Sequence, residues 1–146
     1  MGKVQATTER VYQASPKRVY EALADYATVR PRLLPEQYSG FEVREGGTGA
    51  GTVVHWRLQA TEKRVRDCVF TVTEPRPETL VETDANSSMV ITWTVTAAGE
   101  GAARVVVDAS WQGAGGVGGF FERTFAPKGL NRIHGALLAR LAEEVE

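Results

Sequence analysis

The sequence predicts an α+β fold in which a curved antiparallel sheet packs against a long C-terminal helix. Two observations carry this prediction. Apolar and polar residues alternate through most of residues 41–111, which is typical of strands with one buried face. Residues 130–145 instead repeat their apolar side chains at helical spacing. An apolar sheet face has to be covered by another layer, and only this last helix is long and apolar enough to cover it.

The first part of the chain is expected to contain one strand and two short helices. Residues 7–13 are predicted to form a strand, although their apolar positions do not show which face is buried. Residues 14–26 are predicted to form a helix, because Ser15 is a favourable N-cap and Pro16 a favourable first helical residue. Two prolines within residues 29–40 limit a second helix to a short segment.

From residue 41 onward, short strands and turns alternate, which predicts an antiparallel meander joined by hairpins. The predicted strands span residues 41–45, 52–60, 63–74, 79–84, 88–96 and 103–111. Every second residue on four of these strands is apolar and is expected to face the helix. These residues are Val54, Trp56, Leu58, Cys68, Phe70, Val72, Met89, Ile91, Trp93, Val95, Val105, Val107, Ala109 and Trp111.

The C-terminal helix is expected to carry one polar residue within its buried stripe. The apolar members of that stripe are Leu130, Ile133, Leu137, Leu138, Leu141 and Val145. His134 lies within the same stripe and therefore needs an explanation. Upstream, Phe121 and Phe125 have the spacing of one helical face, and Pro127 is expected to kink or restart the helix.

Composition and charge exclude several classes of function. The chain of 146 residues has 17 Lys and Arg against 18 Asp and Glu, whereas nucleic-acid binders usually show a basic excess. A single cysteine, Cys68, cannot form an internal disulfide, which favours a reducing compartment. No apolar run approaches the roughly 18 residues that span a bilayer. We therefore expect a cytoplasmic protein with no membrane span and no nucleic-acid partner.

The sequence also lacks the usual signatures of cofactor and nucleophile sites, so no metal and no cofactor is expected. Two histidines and one cysteine on separate elements do not supply a zinc site. The glycine-rich residues 113–119 lack the Gly-Lys-Ser/Thr ending of a phosphate-binding loop, and no Gly-x-Ser-x-Gly elbow is present. Asp67 and Asp108 have outward parity, so we expect no paired inward carboxylates for acid–base catalysis.

Five segments, in this order and spacing, resemble the START/Bet v 1-like (SRPBCC) superfamily, in particular its bacterial polyketide cyclase/dehydrase and lipid-transport branch. They are residues 14–26, 71–81, 91–95, 101–107 and 120–144. The resemblance extends over residues 1–146 as one domain. It implies a helix-grip fold: a seven-stranded antiparallel sheet wraps around the C-terminal helix, with two short helices after strand 1 and an internal cavity. It also implies a hydrophobic ligand, and in some members cyclisation or dehydration.

Inward side chains become candidate ligand contacts if a cavity lies between sheet and helix. The candidates are mainly apolar and aromatic: Trp56, Phe70, Met89, Trp93, Val107, Trp111, Phe121, Phe125, Leu130, His134, Leu137 and Leu138. The alternative is ordinary core packing. His134 either orients a ligand, or bonds a backbone carbonyl, a water or a tyrosine, or lies at the edge of the stripe near solvent. If it is buried it needs a partner, since an unsatisfied buried polar group costs about 1–3 kcal/mol.

Three more residues are candidates for the cavity entrance. Arg64 and Arg66 share the inward parity of Phe70, and at the mouth they would receive a carboxylate or phosphate group. The alternative is that both side chains extend to solvent at the strand end. Tyr38 follows the short helices and is either a gate or a surface tyrosine.

The leading functional hypothesis is a protein that binds or carries a small hydrophobic molecule such as a lipid, polyketide or quinone. The first alternative is a polyketide aromatase/cyclase or dehydratase, with His134 as acid or base and Arg66 stabilising an enolate oxygen. The second alternative is a regulatory or protein-interaction module. The small number of inward polar residues favours binding over catalysis. We expect a monomer or a weak homodimer.

Overall fold

The structure, a computed structural model, describes residues 3–61, 64–112 and 127–146 and has the α+β architecture expected from the sequence. Its strands are β1 (Lys3–Tyr12), β2 (Tyr38–Glu45), β3 (Val53–Thr61), β4 (Arg64–Thr73), β5 (Thr79–Asp84), β6 (Val90–Ala97) and β7 (Ala103–Gln112). The helices within these ranges are α1 (Pro16–Ala24), α2 (Arg30–Leu33) and α3 (Pro127–Val145).

All seven strands form one antiparallel sheet in the order β1-β7-β6-β5-β4-β3-β2. Strands β2 to β7 follow one another as a meander, and β1 adds to the edge beside β7. Helices α1 and α2 connect β1 with β2 and therefore cross from one sheet edge to the other. Helix α3 contacts β1, α1 and α2. The three helices thus cover the inward face of the sheet, with β5 as its central strand.

Helix α1 begins where the sequence predicts. The Ser15 hydroxyl accepts a hydrogen bond from the backbone nitrogen of Arg18 at 3.2 Å, and Pro16 is the first helical residue. Val19 and Leu23 are fully buried, so the apolar face of the helix contributes to the core. The prediction of a short second helix is also confirmed, since α2 has only 4 residues.

Strands β1 and β2 begin several residues earlier than the sequence predicts, at Lys3 and at Tyr38. In β1 hydrophobicity does not follow burial: Ala6 and Tyr12 are buried, whereas Val11 is 42% exposed. Continuous pairing with β7 stabilises the whole strand despite this weak pattern. Sheet context overrides local propensity in such cases.

The predicted inward faces of β3, β4, β6 and β7 are confirmed. Every apolar residue expected on them, from Val54 to Trp111, is at most 6% exposed. The stripe of α3 is buried as well, while Arg132 and Arg140 on its other side are exposed. The expectations for the glycine-rich residues 113–119, for Phe121 and Phe125, and for a helix before Pro127 lie outside the described residues.

Replacing the cap of α1 tests how far this helix depends on its first turn. We expect Ser15→Ala to lower the free energy of unfolding by about 1 kcal/mol, because the backbone nitrogen of Arg18 loses its acceptor. Urea unfolding measures the change. Ser39→Ala on exposed β2 is the control and is expected to stay within about 0.5 kcal/mol. Equal effects of the two substitutions would contradict a stabilising cap.

Candidate functional site

A small cavity lies between α3 and the inward face of the sheet. Its wall is contributed by β2, β3, β4, the start of β6 and α3. The lining residues are Tyr38, Trp56, Leu58, Cys68, Phe70, Met89, Ile91, Leu130 and His134. The space available to the centre of a water molecule is about 10 Å³, which suffices for roughly one water. Among the described residues, the wall leaves room for a larger ligand only when side chains move.

The wall at the β2–β4 side is aromatic. The ring of Trp56 lies edge-on to Tyr38, with centroids 5.5 Å apart, and is stacked with Phe41 at 6.1 Å. On its other side Trp56 approaches Phe70 at 5.0 Å. Such clusters give a flat, largely apolar surface with directional ring contacts. Tyr38 is half-buried within this cluster, so the structure places it on the cavity wall and not on an open surface.

His134 is the buried imidazole of α3 and is 1% exposed. Its ring lies 5.7 Å from the ring of Trp93, and Nδ1 has no hydrogen-bond partner among the described residues. Burial, together with the positive charge of Arg30, lowers the pKa of His134 to about 4. At neutral pH the cavity wall therefore carries an uncharged imidazole.

A second group of buried polar side chains, here called the Arg30–Glu82 cluster, consists of Arg30, Glu82 and Tyr26. Arg30 Nη1 and Glu82 Oε2 form an ion pair at 3.0 Å, with both side chains 1% exposed. The Tyr26 hydroxyl donates to the same carboxylate oxygen at 2.5 Å. Arg30 Nη2 also donates to the Tyr26 hydroxyl at 3.4 Å. Helix α2 and the central strand β5 are thus joined inside the protein.

Aromatic rings surround the guanidinium of this cluster. The Arg30 Cζ atom lies 4.5 Å from the ring centre of Tyr26 and 4.7 Å from that of Trp93. Both distances allow cation–π attraction, which is stronger away from water. Burial alone would lower the pKa of Arg30, but Tyr26 and Glu82 raise it above its ordinary value. The arginine therefore stays charged, and Trp93 separates it from His134.

The inward face of β5 carries two carboxylates that the outward parity of Asp67 and Asp108 did not reveal, and each of them is engaged by other groups and not by the other carboxylate. Glu82 is 0% exposed and Asp84 is 3% exposed, and both share the inward parity of Leu80 on β5. Asp84 accepts hydrogen bonds from the turn residues Asn86 and Ser87, so it closes the β5–β6 hairpin. Glu82 belongs to the Arg30–Glu82 cluster instead.

The pairing register of β5 with its two neighbouring strands would have shown that Glu82 faces inward. It pairs across β5 and β6 with Ile91 and across β4 and β5 with Val72, both of which the sequence places inward. Opposite residues in an antiparallel pair share a face of the sheet. Arg30 had no comparable signal, because α2 is too short to show a helical period.

The candidate ligand contacts separate into two groups. Trp56, Phe70, Met89, Leu130 and His134 line the cavity. The others among the described residues are buried but are not part of this wall: Trp93, Val107, Trp111, Leu137 and Leu138. They belong to the continuous core. Four wall residues were not among the candidate ligand contacts, namely Leu58, Cys68, Ile91 and Tyr38, of which Tyr38 was a candidate only for the entrance.

The other polar side chains at or near the wall differ in their surroundings. Burial raises the pKa of the Cys68 thiol to about 12, so the cavity wall carries a thiol and not a thiolate. Arg66 is half-buried on β4, and burial lowers the pKa of its guanidinium. The side chain of Arg64 lies outside the described part of the chain. A role for Arg66 toward a ligand stays a prediction.

Residues 3–61, 64–112 and 127–146 hold neither a metal cluster nor a membrane-spanning helix. No group of three or more His, Cys, Asp or Glu side chains there is arranged to hold a metal ion. Nor does any helix in these ranges combine the length and the apolar character needed to cross a bilayer.

Comparison with known families gives the context for this geometry. The family described as polyketide cyclase/dehydrase and lipid transport matches residues 3–146. The chain belongs to this family. No curated protein matches the chain significantly. The description of the family covers both carriers and enzymes. Membership alone therefore does not distinguish between these two functions, and the residues of the site have to be considered.

Solved structures of similar proteins confirm the helix-grip fold of the START/Bet v 1-like superfamily. The KanY protein, solved by NMR, is 50% identical, with a TM-score of 0.88 and coverage of 99% of this chain and 98% of that chain. A START superfamily protein from Mycobacterium smegmatis is 12% identical, with a TM-score of 0.70 and coverage of 99% and 97%. The Zhui aromatase/cyclase from Streptomyces sp. R1128 is 16% identical, with a TM-score of 0.70 and coverage of 98% and 93%.

Removing one member of the buried ion pair is expected to be more harmful than removing both. Arg30→Met or Glu82→Leu alone leaves a buried charge without a partner, which costs about 3–5 kcal/mol of unfolding free energy. The double variant leaves no such charge and is expected to lose less. Urea unfolding of the four proteins tests this. Single variants as stable as the wild type would show that the pair is not buried as described.

His134 predicts a specific pH dependence of stability. Its pKa is about 4 in the folded protein against an ordinary value of 6.5. Between these values the unfolded chain binds a proton that the folded protein does not, so stability falls as pH decreases, by on the order of 3 kcal/mol in total. His134→Leu cannot titrate and is expected to show a shallower pH dependence in this window. If the unfolding free energies of the two proteins changed equally with pH in this window, a buried neutral imidazole would be contradicted.

Proposed function

We propose that the protein binds a small hydrophobic molecule, of lipid, polyketide or quinone type, in the space between the sheet and α3. The observation that carries this proposal is an apolar, aromatic wall interrupted by a buried imidazole whose Nδ1 has no partner among the described residues. Pockets of this kind take affinity from apolar contact and orientation from a few polar groups. Membership in a family of cyclases, dehydrases and lipid carriers supports it.

Burial of the ligand's apolar surface has to supply the free energy that is needed to move side chains of the cavity wall. Burying apolar surface contributes roughly 25 cal/mol per Å² before the costs of association. The described cavity is too small for such a ligand, so side chains on the wall have to move. Met89 is suited to this because it is unbranched and lies next to the β5–β6 turn. Tyr38 is the half-buried wall residue at the start of β2.

Polyketide cyclisation or dehydration is the second candidate function. The observation in its favour is the presence of His134 on the wall of a cavity that would hold a flexible chain in place. Proton transfer is most efficient when the pKa of the catalytic group lies near the working pH. The pKa of His134, lowered to about 4, makes it a poor base but leaves it a good hydrogen-bonding partner. The site therefore favours binding over catalysis.

Native mass spectrometry of the purified protein, followed by denaturing extraction, tests the proposal. We expect a discrete co-purifying hydrophobic molecule in the wild type. His134→Leu is expected to retain about tenfold less of it, because one hydrogen bond to the ligand is lost. His55→Leu is the matched control. His55 lies on the outer side of β3, where Nε2 contacts Asp67 at 2.6 Å, and its replacement is expected to leave ligand retention unchanged.

Two results would contradict the proposal. Wild-type protein that is bare after gentle purification, and that also fails to bind added aromatic or lipid probes, would favour a protein-interaction role. Turnover of an added polyketide-like chain that stops in His134→Leu but continues in His55→Leu would favour the enzyme instead.

A further inference from the structure

The Arg30–Glu82 cluster lies beside the polar part of the cavity wall. Tyr38 and His134 line the cavity, and the positive charge of Arg30 acts on both of them. Glu82 acts on Tyr38 as well. Trp93 completes the connection, because its ring centre is 4.7 Å from the Arg30 Cζ atom and 5.7 Å from the His134 ring centre. Arg30, Glu82 and Trp93 are not among the residues that line the cavity, so a polar ligand group at this end would lie beside His134 and Tyr38, with the ion pair behind them.

Several atoms in this region retain unused hydrogen-bonding capacity. Arg30 Nε and Trp93 Nε1 are donors without an acceptor, and Glu82 Oε1 is an acceptor without a donor, among the described residues. His134 Nδ1 is also without a partner there. All four side chains are at most 1% exposed. Buried polar atoms are rarely unpartnered. Of these four atoms, only His134 Nδ1 belongs to a residue that lines the cavity, and a neutral imidazole nitrogen either donates to or accepts from an uncharged ligand group. A hydroxyl does both, whereas a carboxylate only accepts.

The charges of the region already cancel. Arg30 is paired with Glu82 at 3.0 Å, and both are buried. Burial raises the pKa of Tyr26 well above its usual value, and that of Tyr38 likewise, so both phenols are neutral. His134 is neutral as well. A ligand carboxylate would add a buried charge with no free cation among these groups, and its desolvation would not be compensated. A hydroxyl or carbonyl adds no charge.

We propose that the Arg30–Glu82 cluster makes the cavity select hydrophobic molecules whose polar end is an uncharged hydroxyl or carbonyl, and reject those that end in a carboxylate. This inference rests on the proposed ligand-binding function and specifies the ligand class. The guanidinium is held by the protein's own carboxylate and does not serve as a receptor for an anion. Phenols and ketones fit the site, and a carboxylate buried beside His134 does not.

Matched probes test the selectivity. A naphthol and the naphthoic acid with the same substitution position share one ring system and differ in charge near neutral pH. Isothermal titration of the wild type is expected to show the naphthol binding at least about tenfold more tightly, a difference of about 1.4 kcal/mol. Glu82→Gln removes the negative charge but retains an acceptor for Tyr26 and Arg30. The positive charge of Arg30 then has no carboxylate partner in the protein. The affinity for the naphthoate is therefore expected to increase at least about tenfold.

Glu42→Gln is the matched control. Glu42 is exposed on β2, where it pairs with Arg44 at 3.0 Å, and its replacement changes the net charge of the protein equally. It is expected to leave both affinities unchanged. Equal or tighter binding of the naphthoate by the wild type would overturn the selectivity while leaving the ligand-binding function intact. A preference for naphthol that is unchanged in Glu82→Gln would overturn the role of the ion pair. Failure of both probes in the wild type would overturn the ligand-binding function itself.

A measurement on the wild type keeps the inference testable if Glu82→Gln does not fold. If only the neutral acid binds, the affinity for the naphthoic acid is expected to fall about tenfold per pH unit above the pKa of the acid. The affinity for the naphthol is expected to stay flat between about pH 5 and pH 8, where His134 remains neutral. A pH-independent affinity for the acid would overturn the exclusion of carboxylates.

Discussion

The buried ion pair between Arg30 and Glu82 is the interaction on which the arrangement of the interior depends. Neither charge is tolerated in the core without the other, so α2 has to lie over the central strand β5 for the sheet to bury Glu82. The same pair holds Tyr26 and Trp93 against the guanidinium. The position of the short helices relative to the sheet is therefore determined by an electrostatic constraint as well as by apolar packing.

This constraint has a consequence for the cavity. The charge of Arg30 helps to keep His134 neutral, because a second positive charge in the same buried region would be unfavourable. A neutral imidazole can accept or donate one hydrogen bond without bringing a charge into an apolar wall. The polar side chains near the ligand space thus combine hydrogen-bonding capacity with no net charge. A site of this kind suits orientation of a ligand better than proton transfer.

The size of the cavity sets a second condition on function. The aromatic rings around Trp56 and the cover provided by α3 close the wall to a space for about one water, 10 Å³. Binding of a larger molecule is then coupled to movement of side chains such as Met89. Since opening costs free energy, the stabilisation from burying the ligand's apolar surface has to exceed both the packing energy that opening removes and the entropy lost on association. Ligand shape is selected by how this wall can repack.

Sequence and tertiary structure decided different parts of this protein. Strand alternation and the apolar stripe of α3 follow from local periodicity, and the Ser15 cap follows from residue type. The fold class, the inward aromatics and the position of His134 within the stripe were therefore predictable from the sequence, whereas its full burial was decided by the tertiary structure. Arg30 and Glu82 were not, because they lie far apart in the chain and meet only when α2 packs over β5. Which inward residues line a cavity, and which fill the core, also depended on packing, since both groups share the same apolar pattern.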